Sequence, residues 1–432
     1  MPGGVCIAGE GCARVEAAAR SGDAKKNRKK QKIPGEIPMP ASSPWLAAIL
    51  AALAAIGPFS IDTYLPAFPA IAASLGATPI EVQQTLTAYM ATFAFMVLWH
   101  GALADHFGRR RVILGSMALF VLASLVCALA PSIEWLWTGR VLQGLCGGAG
   151  MVVGRAVIRD LYDGAQAQRL MARVTMIFAI APAIAPIIGG LLLAIAGWRA
   201  VFVFLALFAG GLTYLTWRYL PETLPAAARH PLHPVSLGRA YTKVLGSGAF
   251  LLVAGAVAFN FNGFFLYVLS APAFLIGHLG LGPQQFGWMF VPTVLGMVCG
   301  SALSGRMAGR WQHGRTITTG FAIMGGAAVL NVLIGALVTP GLPWSVLPVA
   351  IYTIGMALVM PSLTLIALDR FPARRGLASS CQSFLQVSVN AVTAGVLAPL
   401  LWSSPLTLAA GMAGFMSLGL LCFLSWQRRV EA

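Results

Sequence analysis

Twelve long apolar stretches, separated by short polar segments, limit what this sequence can fold into. Each is about 20 residues long or longer, the length that an α-helix needs to cross the hydrocarbon core of a bilayer. Membrane strands are excluded because the stretches are too long and do not alternate polar with apolar residues. We therefore predict an all-α membrane protein with twelve transmembrane helices, called spans 1 to 12, over residues 45–71, 84–103, 111–129, 133–156, 171–195, 198–219, 249–272, 285–305, 316–338, 344–367, 377–401 and 405–426.

The composition agrees with this class of protein. Only 10% of the residues are charged and 58% are hydrophobic, whereas about 25% of the residues in a soluble domain are charged. The net charge of +16 does not indicate nucleic-acid binding, because the basic residues lie in short gaps between apolar stretches. The seven cysteines are an odd number without metal-type spacing, so we expect no disulfide, no metal site and no cofactor.

The basic residues also predict the orientation. If the N-terminus lies in the cytoplasm, 27 of the 29 Lys and Arg residues fall on the cytoplasmic side. The two exceptions are Arg140, within a span, and Arg199, on the external side. The positive-inside rule therefore places both termini in the cytoplasm.

The chain divides into two halves of six spans each. The longest internal gap, 220–248, is predicted to be a cytoplasmic linker between an N-terminal half, 45–219, and a C-terminal half, 249–427, which is followed by a short cytoplasmic tail, 428–432. The segment GALADHFGRRR (101–111) after span 2 is echoed by SALSGRMAGRW (301–311) after span 8. Repeated halves are typical of transporters that bind substrate between them, near the middle of the membrane.

Residues 1–44 form a basic segment that contains KKNRKKQK at 25–32. No apolar stretch follows the first residues, so we do not expect a cleavable signal peptide. Two interpretations remain open: a disordered cytoplasmic tail, or a natural translation start at Met39.

Four segments carry a resemblance to a known family. GALADHFGRRR resembles the loop motif GxLxDxxGRR of the major facilitator superfamily, and TGRVLQGLCGGAG (138–150) resembles its span-four motif. FSIDTYLPAFPAI (59–71) resembles span 1 of the bicyclomycin-resistance (Bcr/CflA) branch of drug:proton antiporters. APAIAPIIGG (181–190) resembles the span-five antiporter motif, except that Ala185 stands where glycine is usual. The resemblance covers about residues 45–427.

The resemblance implies a monomeric, multi-pass transporter of a bacterial inner membrane that works by alternating access. It also implies a latch at the cytoplasmic ends of the spans, formed when those ends close. Asp105 would then face the start of span 11 near Gly376, and Arg109 would pair with Asp160. The residues expected to act as latch and hinge are Gly101, Asp105, Gly108, Arg109, Asp160, Pro182, Pro186, Gly189 and Gly190.

Two charged residues inside spans are candidates for proton coupling. Asp62 is the acidic residue that lies deep inside a predicted span, and Arg140 is the basic residue that lies near the middle of one. Charged groups at that depth are costly and mark function by default. A structural salt bridge remains the alternative for Asp62, and a structural tie to Gln143 or to backbone carbonyls is the alternative for Arg140. Their estimated depths also put the two side chains within reach of each other, facing a cavity lined by spans 1, 4, 7 and 10.

A substrate site is predicted from polar, aromatic and methionine side chains in the same spans. Gln143 and Met151 share the face of Arg140 by helical spacing. The two asparagines of span 7 are able to bond either a ligand or a neighbouring helix, and aromatic and methionine residues suggest an adaptable apolar pocket. The candidates are Gln143, Met151, Asn260, Asn262, Phe264, Phe265, Tyr267, Met356 and Met360.

Together these features favour a proton-driven exporter of small amphipathic drugs or metabolites. The chain contains no GxxxxGK[ST] loop for ATP, so we expect a secondary active transporter rather than an enzyme, with H+ as the coupling ion. An importer of a small nutrient, proton-coupled or facilitated, remains an alternative. A membrane sensor or scaffold is the non-transporting alternative, and it would have no use for Asp62 and Arg140.

Overall fold

The computed structural model describes residues 44–162, 164–229, 231–307 and 310–431. The interpretations of residues 1–43, including the start at Met39, lie outside the described residues. Within the described ranges the chain is helical and contains no strand, and all twelve predicted spans are present. Their bounds are Trp45–Leu75, Pro79–Phe107, Arg109–Ala128, Ile133–Leu161, Gln166–Ala196, Arg199–Tyr219, Gly248–Leu269, Pro283–Met307, Gly314–Leu337, Leu347–Asp369, Arg375–Leu401 and Pro405–Arg429.

Span 2 starts earlier than the apolar pattern suggests because its first turn is capped by side chains. Thr78 Oγ1 accepts a hydrogen bond from the Glu81 amide at 3.2 Å. The Glu81 carboxylate in turn accepts one from the Thr78 amide at 2.7 Å. This capping box satisfies amides that would otherwise lack a partner at the helix start.

Span 1 is interrupted in its second half. A first helix, Pro44–Asp62, is followed by a 3-10 turn, Leu65–Ala67, and a second helix, Phe68–Leu75. Pro66 contributes to the break because it has no N–H to donate to the Asp62 carbonyl four residues earlier. In a regular helix the Tyr64 amide would donate to the Ser60 carbonyl, but here it donates to the Ile61 carbonyl. The Ser60 carbonyl is therefore free to accept a hydrogen bond from another span.

Span 4 packs closely on span 2. It consists of two helices, Ile133–Gly147 and Ala149–Leu161, which meet at Gly148. A Cβ at Gly144 would collide with the Tyr89 carbonyl and the Thr92 hydroxyl. The hydroxyl of Thr92 also donates to the Val141 carbonyl of span 4 at 3.2 Å. Gly144 and Gly148 form a GxxxG pair, and Gly144 makes the close helix contact that such motifs usually make.

Because twelve crossings return the chain to its starting side, span 1 begins and span 12 ends at one face, called here the terminal face. The opposite face is the loop face. At the loop face Gln83 and Gln84 of span 2 donate to the carbonyls of Ala394 and Gly395 in span 11, at 3.2 and 2.9 Å. These carbonyls belong to a π-helical segment, Thr393–Leu397, whose irregular turn leaves oxygen atoms accessible.

Spans 5 and 8 also meet at the loop face, where a Cβ at Gly190 would collide with the Pro283 carbonyl. Among the described residues, the two glutamine bonds are the only direct hydrogen bonds between spans of opposite halves. The halves are therefore closed against each other at the loop face.

At the terminal face a linker helix, Pro234–Leu245, joins the halves. The Tyr241 hydroxyl donates to the Leu98 carbonyl of span 2 at 2.5 Å. Burial raises the pKa of Tyr241 to about 12, so the hydroxyl keeps its proton across the physiological range. The linker is thereby held against the N-terminal half.

Replacing both Gln83 and Gln84 with leucine is expected to loosen the closed loop face. Two hydrogen bonds of about 1 kcal/mol each would be lost, enough to shift the closed population by about tenfold or more. Spin labels at the exposed positions Ile80 and Leu400 would report the change as a longer distance by pulsed electron paramagnetic resonance.

Gln382→Leu is the matched control, because Gln382 donates to Thr364 within the C-terminal half. Its distance distribution should equal that of the wild type. An unchanged distribution in the double variant would show that the glutamines do not hold the face closed.

Candidate functional site

Asp62 lies at the last residue of the first helix of span 1, directly before the break. It is buried, with 4% of its surface exposed. Across the part of the chain that the structure describes, its carboxyl group has no hydrogen bond and no ion pair. The described residues therefore provide no salt bridge of the kind that the sequence left open, and none of them holds the carboxyl group by a structural bond.

Arg140 of span 4 is fully buried beside the same break. Its Nη1 atom donates to the freed Ser60 carbonyl at 3.0 Å and to Gln143 Oε1 at 2.8 Å. The guanidinium carbon lies 4.7 Å from the ring centre of Tyr64 and 4.5 Å from that of Tyr89. Cation–π contacts with two aromatic rings help to offset the cost of burying the charge.

Arg140 does not pair with Asp62, although the sequence placed the two side chains within reach of each other. The physical reason is that the break in span 1 offers a carbonyl oxygen and the Tyr64 ring, which hold the guanidinium group away from the carboxylate. Gln143 is part of this arrangement, because its Nε2 atom donates to Ser124 of span 3 at 2.8 Å. The contacts of Arg140 are those of the structural tie that the sequence left open.

Span 5 also packs against the break in span 1. A Cβ at Gly189 would collide with the Thr63 carbonyl and would lie 2.9 Å from the Thr63 Cα atom. Pro182 and Pro186 lie inside one continuous helix, Gly164–Ala196. The glycine thus permits the backbone contact, and the prolines do not end the helix.

Gly189→Val is expected to prevent this contact and to destabilise the protein by about 1–3 kcal/mol or more, the usual cost of overpacking. Gly211→Val is the matched control, because no atom lies within 4 Å of a Cβ at Gly211 of span 6. Thermal unfolding of the detergent-solubilised protein, followed by light scattering or dye binding, would compare the two. Equal melting temperatures for both variants would contradict the close approach at Thr63.

Three of the substrate candidates in span 7 make contacts within the C-terminal half instead. Asn262 donates to Asn390 Oδ1 at 2.9 Å and accepts from the Thr393 hydroxyl at 2.8 Å, which ties spans 7 and 11 together. Asn260 lies against Gly419 of span 12. Tyr267 accepts a hydrogen bond from Asn331 of span 9 at 2.7 Å. For Asn262 and Tyr267 the helix-to-helix alternative fits the geometry better than ligand binding. Both side-chain polar atoms of Asn260 are buried without a hydrogen-bond partner among the described residues, so its two alternatives stay open.

The other candidates of span 7, Phe264 and Phe265, both contact the ring of Phe261. Phe265 packs on Phe261, with ring centres 5.2 Å apart. By helical spacing both point away from Gly263, which meets Tyr352 of span 10. Phe261 is an addition to the sequence-based set. Phe264 is buried and in edge contact with Phe261.

The three methionine candidates also differ in their surroundings. Met356 is buried beside Gly355 and Ala357, whose positions contact spans 9 and 8. Met360, one turn later in span 10, is partly exposed, as is Met151 of span 4. Met151, Met360 and Phe265 are therefore the substrate candidates whose positions fit a cavity between the halves.

Arg155, near the end of predicted span 4, is one of the basic residues counted on the cytoplasmic side. It lies within the helix Ala149–Leu161 and is exposed. Val152 faces span 2, Gly154 faces span 1, and Val153 is fully buried, so Arg155 points toward the opposite half. The exposure of this side indicates that the space between the halves is open toward the terminal face. The sequence contained a signal for this position, because Arg155 follows Met151 by four residues and therefore lies on the same side of the helix.

The residues of the expected latch form an ion-pair cluster within the N-terminal half. Arg109 Nη1 lies 2.5 Å from Asp105 Oδ1, and Arg109 Nε lies 3.2 Å from Asp160 Oδ2. The expected Arg109–Asp160 pair is therefore present, but its expected dependence on closed ends is wrong, because all three residues belong to one half and pair while the terminal face is open. The Glu222 carboxylate accepts from the Arg109 amide at 2.9 Å. It also packs on Gly108, whose φ of 104° favours glycine.

Asp105 does not contact the start of span 11. In the described part of the chain its ion pair is with Arg109, and no atom lies within 4 Å of a Cβ at Gly376. This separation is the arrangement that we expected for a molecule open at the terminal face.

Gly101, another expected latch residue, lies beside Val152 of span 4. A Cβ atom at Gly101 would lie 3.9 Å from the nearest atom of Val152.

The chain is similar to known membrane transporters. The family model described as Major Facilitator Superfamily matches residues 48–394. The chain is 33% identical over 349 residues to the uncharacterized MFS-type transporter YdgK of Bacillus subtilis, covering 80% of this chain and 87% of that protein. It is 29% identical over 349 residues to the bicyclomycin resistance protein homolog of Haemophilus influenzae, covering 81% and 87%.

A solved structure supports the fold. The human organic anion transporter MFSD10 superimposes with a TM-score of 0.61 at 20% sequence identity, over 88% of this chain and 97% of that one. At this identity the likeness concerns the fold alone.

Proposed function

The chain belongs to the Major Facilitator Superfamily, and on that premise we propose that it exports small amphipathic drugs in exchange for protons. A relative that shares most of its length is named for bicyclomycin resistance, which supports an antibiotic-like substrate. As a member of this superfamily with twelve apolar helices, the protein is a multi-pass membrane transporter.

The observation that carries the proton-coupling proposal is the state of Asp62. A carboxyl group that is buried but free of structural bonds is able to take up or release a proton without breaking a contact that holds the fold. Its place at the break of span 1 couples that charge change to the joint between the two helices. In transporters, such discontinuous helices frequently carry the binding sites for substrate and coupling ion.

Export as the direction of transport rests on the resistance protein among the relatives, and the proposed orientation fits it. The terminal face, which carries the bulk of the basic residues, is the cytoplasmic face of a bacterial inner membrane. In the structure the halves are closed at the loop face, so the space between them would receive substrate from the cytoplasm. Opening of the glutamine contacts at the loop face would then release it outside while Asp62 takes up a proton.

Transport in proteoliposomes tests this proposal. With an imposed pH gradient, we expect bicyclomycin or another drug from a panel to accumulate on the acidic side, and an uncoupler to abolish the accumulation. Accumulation of a nutrient toward the alkaline side would instead identify a proton-coupled importer. No flux for any compound, with folded protein in the membrane, would favour the sensor or scaffold.

A further inference from the structure

A groove of about 440 Å³ lies on the side of the bundle between the end of span 5 and the start of span 6. The lining side chains Val203 and Leu207 are 43% and 72% exposed. Apart from Arg199 the groove is apolar. Its lining comprises Leu192 and Ala196 of span 5 and Ala200, Val203, Phe204 and Leu207 of span 6.

Arg199 lies at the loop-face end of this groove as the first residue of the span 6 helix. Its guanidinium group lies 4.2 Å from the ring centre of Trp198, and one Nη2–H donates to the Ala130 carbonyl at 3.1 Å. Within the described residues it has no carboxylate partner. The remaining donors of an exposed, positioned guanidinium group are thus available to an anion.

The charge of Arg199 is isolated on its side of the membrane. The chain places no other Lys or Arg in the segments at the loop face. A single fixed cation above an apolar groove is complementary to an anionic head group joined to an acyl chain. We propose that the groove binds one anionic phospholipid from the loop-face leaflet, with its phosphate on Arg199 and a chain between spans 5 and 6.

The groove also borders span 1. Phe204, one of its lining residues, packs on Phe59 with ring centres 6.2 Å apart. Phe208, one turn further along span 6, packs on the same ring at 5.3 Å. Phe59 precedes Asp62 by less than one helical turn, so an acyl chain in the groove would press on the part of span 1 that leads to the break.

A lipid suits this groove better than a transported substrate or a second copy of the chain. The groove lies outside the space between the halves, so an occupant would not be exposed to alternating access. Its apolar wall includes the exposed side chains Val203 and Leu207 of span 6, and Arg199 is the first residue of that membrane-spanning helix. Phosphate groups of a bilayer are expected at the ends of such helices. Arginine binds phosphate through charge-assisted, often bidentate hydrogen bonds.

Local fluorescence quenching in nanodiscs tests the proposal with the full-length protein. A bimane label on a cysteine at Ile195, which is 73% exposed beside the groove, would report lipids with brominated chains. Brominated phosphatidylglycerol should reach half-maximal quenching at about fivefold lower mole fraction than brominated phosphatidylcholine, the factor that corresponds to about 1 kcal/mol for one basic residue. Arg199→Gln should abolish this preference.

Arg218→Gln is the matched control, because Arg218 stacks on Tyr219 at the other end of the same helix. It should leave the preference at Ile195 unchanged. Ala200→Trp, which fills the groove, should reduce quenching by both lipids. Equal quenching by the two lipids in the wild type, or a preference that survives Arg199→Gln, would overturn the proposal. Self-quenching of the label that rises with the protein-to-lipid ratio would identify a second copy of the chain as the occupant instead.

Discussion

Asp62→Asn is expected to abolish drug accumulation against a gradient while leaving downhill exchange of drug. The amide has nearly the shape of the carboxyl group but does not exchange a proton near neutral pH. Because Asp62 has no hydrogen bond or ion pair within the described residues, the substitution breaks no structural contact. Loss of uphill transport would therefore report lost coupling rather than lost folding.

The measurement compares uphill and downhill flux of one drug in the same proteoliposome preparation. Asp369→Asn is the matched control, because Asp369 is an exposed acid at the end of span 10 that pairs with Arg375. This control should retain uphill transport. Full uphill transport by Asp62→Asn, at equal protein content, would exclude Asp62 as the obligatory proton carrier.

Arg140→Met should have a different signature, the loss of both uphill and downhill transport by about a hundredfold. The substitution removes two hydrogen bonds from a charged donor, each worth about 1.5–3 kcal/mol, and frees the Ser60 carbonyl at the break of span 1. Since Arg140 forms no ion pair with Asp62, recovery of transport at higher pH is not expected.

Arg140→Lys retains the charge but not the planar fork of donors, and it should recover only part of the activity. Arg111→Met, at an exposed site at the start of span 3, provides the control for a lost arginine. Loss of uphill flux alone in Arg140→Met would instead place Arg140 in the proton pathway itself.

The sequence predicted the twelve spans well because span length and apolarity are set by the bilayer, which acts on each helix independently. It predicted span starts less well where side chains cap a helix. Thr78 and Glu81 are polar, and their reciprocal bonds extend span 2 beyond its apolar part. The break in span 1 was also missed, although Pro66 and Pro69 stand in the printed sequence.

The candidate site was predicted in part. Residue types at the right depth identified Asp62 and Arg140, but their partners depend on the tertiary structure. The Ser60 carbonyl is available only because the helix is interrupted, and Tyr64 and Tyr89 come together from spans 1 and 2. Asn260 and Asn262 have the same chemistry in the sequence, whereas the structure turns one toward span 12 and the other toward span 11.

The most direct test of the central claim is proton movement driven by drug alone. Wild-type protein in proteoliposomes is given a drug gradient without a pH gradient, and an internal pH dye records the proton flux. The account predicts that protons move opposite to the drug, and that Asp62→Asn moves drug with no accompanying proton flux. Proton movement in the same direction as the drug, or drug flux without proton movement in the wild type, would contradict proton antiport through Asp62.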